Sequence, residues 1–167
     1  TKGVVYINGE EIHTMSSSRM GTFRYENLGF IFQNYNLLET HTLYENICIP
    51  LALKHEKNMK EKVYAMAKRM GIDNLLDKYP HECSGGQQQR AAICRALINH
   101  PQLIIADEPT GNLDRKHSIE LLEILKEMNQ EGVTIIMVSH DPLDASYSTR
   151  LVYIEDGSIT EEIKREH

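Results

Sequence analysis

The chain has 167 residues, 41% of them hydrophobic and 25% charged, which suits one globular domain and argues against a disordered, collagen-like or coiled-coil chain. A formal net charge of −6 argues against a broad electrostatic grip on nucleic acid, which needs clustered Lys and Arg. No apolar run reaches the roughly 18 residues that span a bilayer, and no basic-then-apolar leader opens the chain, so membrane association is expected to run through a partner.

The chain begins at Thr1 and not at Met, so an upstream segment is expected to precede it. Residues 4–7 and 10–12 flank Asn8-Gly9, the dipeptide that favours a type I′ turn, and predict an antiparallel hairpin. Residues 16–25 suit a short helix. Residues 28–32, Leu-Gly-Phe-Ile-Phe, form a compact apolar run that predicts a buried strand with Gln33 at its end.

From Thr42 to His81 the pattern turns helical. Asn58 with Glu61 three residues later has the spacing of a capping box, Val63, Met66, Ala67 and Met70 make an apolar stripe, and Gly71 is a natural stop. With no linker or repeat at its edges, residues 34–100 are expected to form a helical subdomain inserted in one domain that covers residues 1–167. Cys48, Cys83 and Cys94 form no C-x-x-C pair, which suits reduced structural thiols.

Ser84-Gly85-Gly86-Gln87-Gln88-Gln89-Arg90 opens a helix-compatible run that continues to residue 98. Ser84 and Gln87 have capping-box spacing. The glycines let backbone N–H groups approach a ligand, and such a helix start attracts anions.

Residues 103–106 are continuously apolar, as in strands covered on both faces of a parallel sheet. They run into Asp107-Glu108-Pro109-Thr110-Gly111-Asn112-Leu113-Asp114, so both carboxylates emerge at the carboxyl end of a strand, where open α/β sheets bind ligands. Leu121, Ile124, Leu125 and Met128 then mark a helix that stops at Gly132. Residues 133–138 are a second buried-strand candidate, followed by Ser139-His140-Asp141. Residues 151–154 and 158–163, joined by Asp156-Gly157, predict a closing hairpin.

In combination these stretches resemble the ABC transporter ATPases. Ser84-Gly85-Gly86-Gln87 is similar to their signature, residues 103–108 to the Walker B strand, residues 109–114 to the D-loop, Gln33 to the Q-loop glutamine and His140 to the H-switch. The order Gln33, Ser84, Asp107, Glu108, Asp114, His140 matches that family throughout.

The resemblance implies a P-loop NTPase-like α/β fold with a mostly parallel sheet, an antiparallel β portion and the helical subdomain. It implies ATP and Mg²⁺ as cofactors. Asp107 and Gln33 would hold the metal, Glu108 would polarise the attacking water, and His140 would hydrogen-bond the γ-phosphate. Ser84, Gly85, Gly86 and Gln87 would act across a head-to-tail dimer on nucleotide held by a second subunit, with Asp114 beside them. The partners implied are that second nucleotide-binding subunit and a membrane permease, with no nucleic acid, at the cytoplasmic face of the membrane. Residues 33–53, with apolar Leu37-Leu38 and residues 47–53, are expected to present the groove that receives a permease helix.

Two departures stand out. Cys83 sits where the family most often has Leu, a change that a small hydrophobic thiol tolerates. No G-x-x-x-x-G-K-[ST] occurs in the 167 residues, and in the family that loop lies upstream of the first hairpin, so residues 1–167 alone are expected to be inactive. Several stretches are most similar to the branch that serves lipoprotein release, macrolide export and antimicrobial-peptide resistance, and residues 145–163 to its bacitracin-type members. The alternatives are an ABC-type ATPase of DNA repair or translation, and a catalytically silent fragment or binding module.

Overall fold

A computed structural model describes residues 3–165. The first hairpin pairs β1 (Tyr6–Ile7) with β2 (Glu10–Glu11) through Asn8 and Gly9, both at positive φ as a type I′ turn requires. It is shorter than predicted: Val4 and Val5 stay exposed, and Ile12 enters a 3-10 turn, Ile12–Thr14. Ser16 caps helix α1 (Ser17–Asn27) by accepting from the Arg19 N–H.

The central sheet is parallel, in the order β3 (Leu28–Phe32), β4 (Leu103–Asp107), β5 (Thr134–Val138). β4 is buried as predicted. β5 is not covered on both faces: Ile136 and Val138 are 52% and 56% exposed, while Ile135 and Met137 pack on the core. The physical reason is that one face of β5 has no covering layer among the described residues, so the alternating residues of that face stay open.

Between β3 and β4 the chain forms α2 (Leu43–Leu53), α3 (Met59–Arg69), two 3-10 turns (Asp73–Leu75 and Pro80–Glu82) and α4 (Gly85–Leu97). Thr42 opens α2 with a full capping box on Glu45, which the sequence reading did not single out. Asn58 makes no cap hydrogen bond, because its backbone lies outside the extended region from which an N-cap side chain reaches back. Gly71 does end this segment in a left-handed conformation.

Leu43, Ile47 and Leu51 line one face of α2 and are buried against α4, each worth about 1.5–3 kcal/mol of transfer free energy. Within the stretch expected to present a groove for a permease helix, Ile47 and Leu51 point inward, while Leu38 and Leu53 are exposed.

Helix α5 (Arg115–Gln130) buries Leu121, Leu122, Leu125 and Met128, a stripe at helical spacing. Helix α6 (Pro142–Tyr147) follows β5. The predicted final hairpin is present as β6 (Arg150–Glu155) and β7 (Ser158–Lys164), turning at Asp156 and Gly157. None of the described helices is long and apolar enough to cross a membrane.

Candidate functional site

Parallel pairing sets the site. Phe32 lies opposite Asp107, and Asp107 opposite Val138, so three strands end level. The residues that follow, Gln33, Glu108 and the Ser139-His140 pair, therefore leave the sheet side by side at its carboxyl edge.

Glu108 has a left-handed backbone, with φ of 45°. A non-glycine residue there stores on the order of 1 kcal/mol or more, which persists only when the surroundings hold it. Two bonds do so: the Glu108 N–H donates to the Val138 carbonyl at 2.9 Å, and its own carbonyl accepts from the Gly111 N–H at 3.1 Å. Its side chain then meets His140, whose Nδ1–H donates to Glu108 Oε1 at 2.8 Å. That hydrogen bond, reinforced by the carboxylate charge, raises the His140 pKa above its ordinary value. Glu108, Thr110, Arg115, Ser118 and His140 line an open cleft of about 250 Å³.

The loop after β4 grips its neighbours on both sides. Asn112 Nδ2 donates to the Gln33 carbonyl and to Asn34 Oδ1, each at 3.0 Å. A Cβ placed on Gly111 would fall 2.6 Å from Gln33 Nε2, so the Gln33 side chain lies directly over this loop. On the other side the Thr110 hydroxyl donates to the carboxylate of Asp144, with both oxygens within 3.0 Å; Thr110 is buried and Asp144 has no exposed surface.

Asp114 is the N-cap of α5 and accepts from the His117 N–H at 3.0 Å. That backbone bond and the His117 imidazole, 2.8 Å away, hold its carboxyl below the usual range. Ser84 caps α4 with the expected box: its Oγ accepts from the Gln87 N–H, and Gln87 Oε1 accepts from the Ser84 N–H. Gly85 and Gly86 are crowded by side chains of the same chain. A Cβ would lie 2.8 Å from the Tyr35 hydroxyl at Gly85, and 2.9 Å from His117 Cδ2 at Gly86.

The structure thus brings Gln33, Asp107, Glu108 and His140 to one edge. It sets Ser84, Gly85, Gly86 and Gln87 apart from them, with no hydrogen bond from these four to Glu108 or His140 among the described residues. Tyr35, Arg95, Asn112, Thr110, Asp144 and His117 were not singled out from sequence. Thr110 and Asn112 lie within the quoted 107–114 stretch, His117 pairs with Asp114 only three residues away, and only long-range pairing reveals Tyr35, Arg95 and Asp144. No disulfide joins the cysteines, and burial pushes the Cys94 thiol up to about 12, consistent with inert reduced residues.

Comparison with known proteins gives concordant matches. The family model described as "ABC transporter" matches residues 1–111. The chain is 49% identical over 166 residues to the ABC transporter ATP-binding protein YxdL of Bacillus subtilis, covering 98% of this chain and 65% of that protein. It is 46% identical over 162 residues to the bacitracin export ATP-binding protein BceA of Halalkalibacterium halodurans, covering 95% of this chain and 64% of that one. The chain therefore spans a little under two thirds of the length of these relatives. Its fold superposes on the dimeric structure of the ATP-binding cassette MJ0796 bound to ADP and Pi, with a TM-score of 0.90, 33% identity, and coverage of 100% of this chain and 75% of that one.

Proposed function

The chain belongs to the ABC transporter family, and from this premise we propose that it is the greater part of an ATP-binding subunit that hydrolyses ATP to power transport. The observation that carries the reading is the level ending of three parallel strands, which sets Glu108 against His140 at 2.8 Å with Gln33 and Asp107 alongside. Residues 34–100 would form the helical subdomain.

The donor set suits Mg²⁺ and a triphosphate. Mg²⁺ is commonly held by one or two protein oxygens and completed by water and phosphate oxygens. Asp107, at the end of β4, and the amide oxygen of Gln33, whose side chain lies over the adjoining Gly111, offer that kind of set. When bound, the metal would neutralise charge developing on the transferred phosphoryl group. Glu108 would orient the attacking water and draw on its proton. His140, held in place by Glu108 and carrying a raised pKa, would donate to a γ-phosphate oxygen from its exposed Nε2. Ser84, Gly85, Gly86 and Gln87, apart from this edge and at a helix N-terminus, would serve nucleotide on a second subunit, with Asp114 near that junction.

The full-length subunit would dock peripherally on a membrane permease through exposed Leu38 and Leu53. The likeness to the bacitracin export protein BceA supports antimicrobial peptides as cargo, and the reading extends to lipoproteins or related amphiphiles. The test is ATP turnover by the full-length subunit with its permease, wild type against Glu108→Gln. We expect Glu108→Gln to lower kcat by roughly 10²- to 10⁴-fold while ATP still binds. Turnover close to wild type would remove Glu108 from this role. Sensitivity of cells lacking the subunit to bacitracin-type peptides, with macrolides as the control, tests the cargo.

A further inference from the structure

Immediately after Gln33 the chain makes a tight turn in which two consecutive residues, Tyr35 and Asn36, sit at φ of 60° and 49°. Asn36 adopts that conformation at little cost, but Tyr35 does not, so the strain that must be held sits at Tyr35. The holder is on α4. Arg95 directs its guanidinium at two successive carbonyls, Nη2 to Tyr35 O at 2.8 Å and Nη1 to Asn36 O. A planar fork fixes orientation as well as distance, which a single ammonium does not.

The same helix meets the same turn again at its other end. The Tyr35 hydroxyl occupies the space into which a side chain at Gly85 would grow: a Cβ there would stand 2.8 Å from the oxygen and 3.8 Å from Cζ. Helix α4 thus touches the turn at its first residue and ten residues later. On its opposite side the turn is tied to the loop after β4, through Asn112 to Gln33 O and Asn34 Oδ1.

We infer that Tyr35 and Arg95 are positioning residues that lock the turn after Gln33 to helix α4, so that the orientation of the Ser84–Gln87 helix start is transmitted to the Gln33 side chain. The inference rests on the ATPase reading for its functional consequence, while the clamp itself does not. A displacement of α4 carries Tyr35 and Asn36 with it and draws Gln33 away from Gly111 and the carboxyl edge of β4. A change at the helix start thereby reaches the cleft without any ligand spanning the two.

Two measurements on the full-length subunit test this. First, Gly85→Ala is expected to lower the thermal midpoint, and adding Tyr35→Phe is expected to restore it, because removing the hydroxyl leaves only the ordinary 3.8 Å contact. Equal destabilisation with Tyr35 or Phe at position 35 overturns the contact. Second, Arg95→Lys, which keeps the charge and loses the fork, is expected to lower kcat by about tenfold or more, as misplacement of a catalytic group does, with KM for ATP changed by less than about twofold. Arg95→Met should lower kcat at least as far. An unchanged kcat in folded Arg95→Lys overturns the transmission. A wild-type subunit without turnover would refute the ATPase reading, and the paired Gly85 and Tyr35 variants would still report on the clamp.

Discussion

Thr110 and Asp144 meet in the interior, hydroxyl to carboxylate, with both carboxylate oxygens within 3.0 Å and no exposed surface on Asp144. Thr110 stands two residues after Glu108 and Asp144 four residues after His140. The pair therefore ties the loop that carries the carboxylate to the helix that follows the imidazole.

Replacing Thr110 by Val keeps the shape and removes the donor that faces a buried carboxylate. The expected cost is about 1–3 kcal/mol, because an unsatisfied buried polar group loses its full compensation. Urea unfolding monitored by circular dichroism measures it, and Asp144→Asn, which retains an acceptor, should cost less. A Thr110→Val protein as stable as wild type would show that Asp144 finds its partner elsewhere.

His140 provides a pH signature. Its folded pKa is raised above the ordinary value of 6.5 by the Glu108 hydrogen bond and charge. A raised value means that the stabilisation is fully present below about 6.5 and is lost as pH rises through the folded pKa. Proton NMR of the His140 ring should record a titration above 6.5 in the wild type, falling toward that value in Glu108→Gln. A wild-type midpoint at 6.5 would remove the ion pair.

The helix starts separate cleanly. Thr42→Ala and Ser84→Ala each break a capping box and should each cost about 0.5–2 kcal/mol. Asn58→Ala should cost little, since Asn58 makes no cap bond. Thermal melts of the three variants would decide, and a large loss at Asn58 would contradict the geometry.

The thiols should differ in reactivity. With its pKa pushed up to about 12 by burial, Cys94 carries almost no thiolate at neutral pH. Iodoacetamide should alkylate it only after unfolding, whereas half-buried Cys48 and Cys83 should react first. Peptide mapping after timed labelling reads the order.

Much of this architecture was legible because short-range pattern and long-range packing agreed. Residues 28–32 and 103–106 read as strands and lie in strands, since unbroken apolar runs tolerate burial. The Ser84 box was readable because its partners are three residues apart. Asn58 had the same spacing, but its backbone lies outside the conformation a cap needs. The outward face of β5 was misread because an apolar run records capacity for burial and not the presence of a cover. Tyr35 with Arg95, and Thr110 with Asp144, left no periodic trace: their partners lie 60 and 34 residues apart, so only the folded chain joins them.

On the ATPase reading proposed above, the left-handed backbone at Glu108 sets protein engineering against activity. Glycine adopts that conformation without steric cost and asparagine at little, so Glu108→Gly and Glu108→Asn gain heat resistance wherever the relieved strain outweighs the lost His140 hydrogen bond. Thermal selection on this chain would thus act on the Glu108 acid as it acts on the other strained left-handed residues, Tyr35, His55 and His100. A directed-evolution campaign would need to hold position 108 fixed, or couple each round of heating to an assay of turnover, to keep robustness from being reached by way of an inert protein.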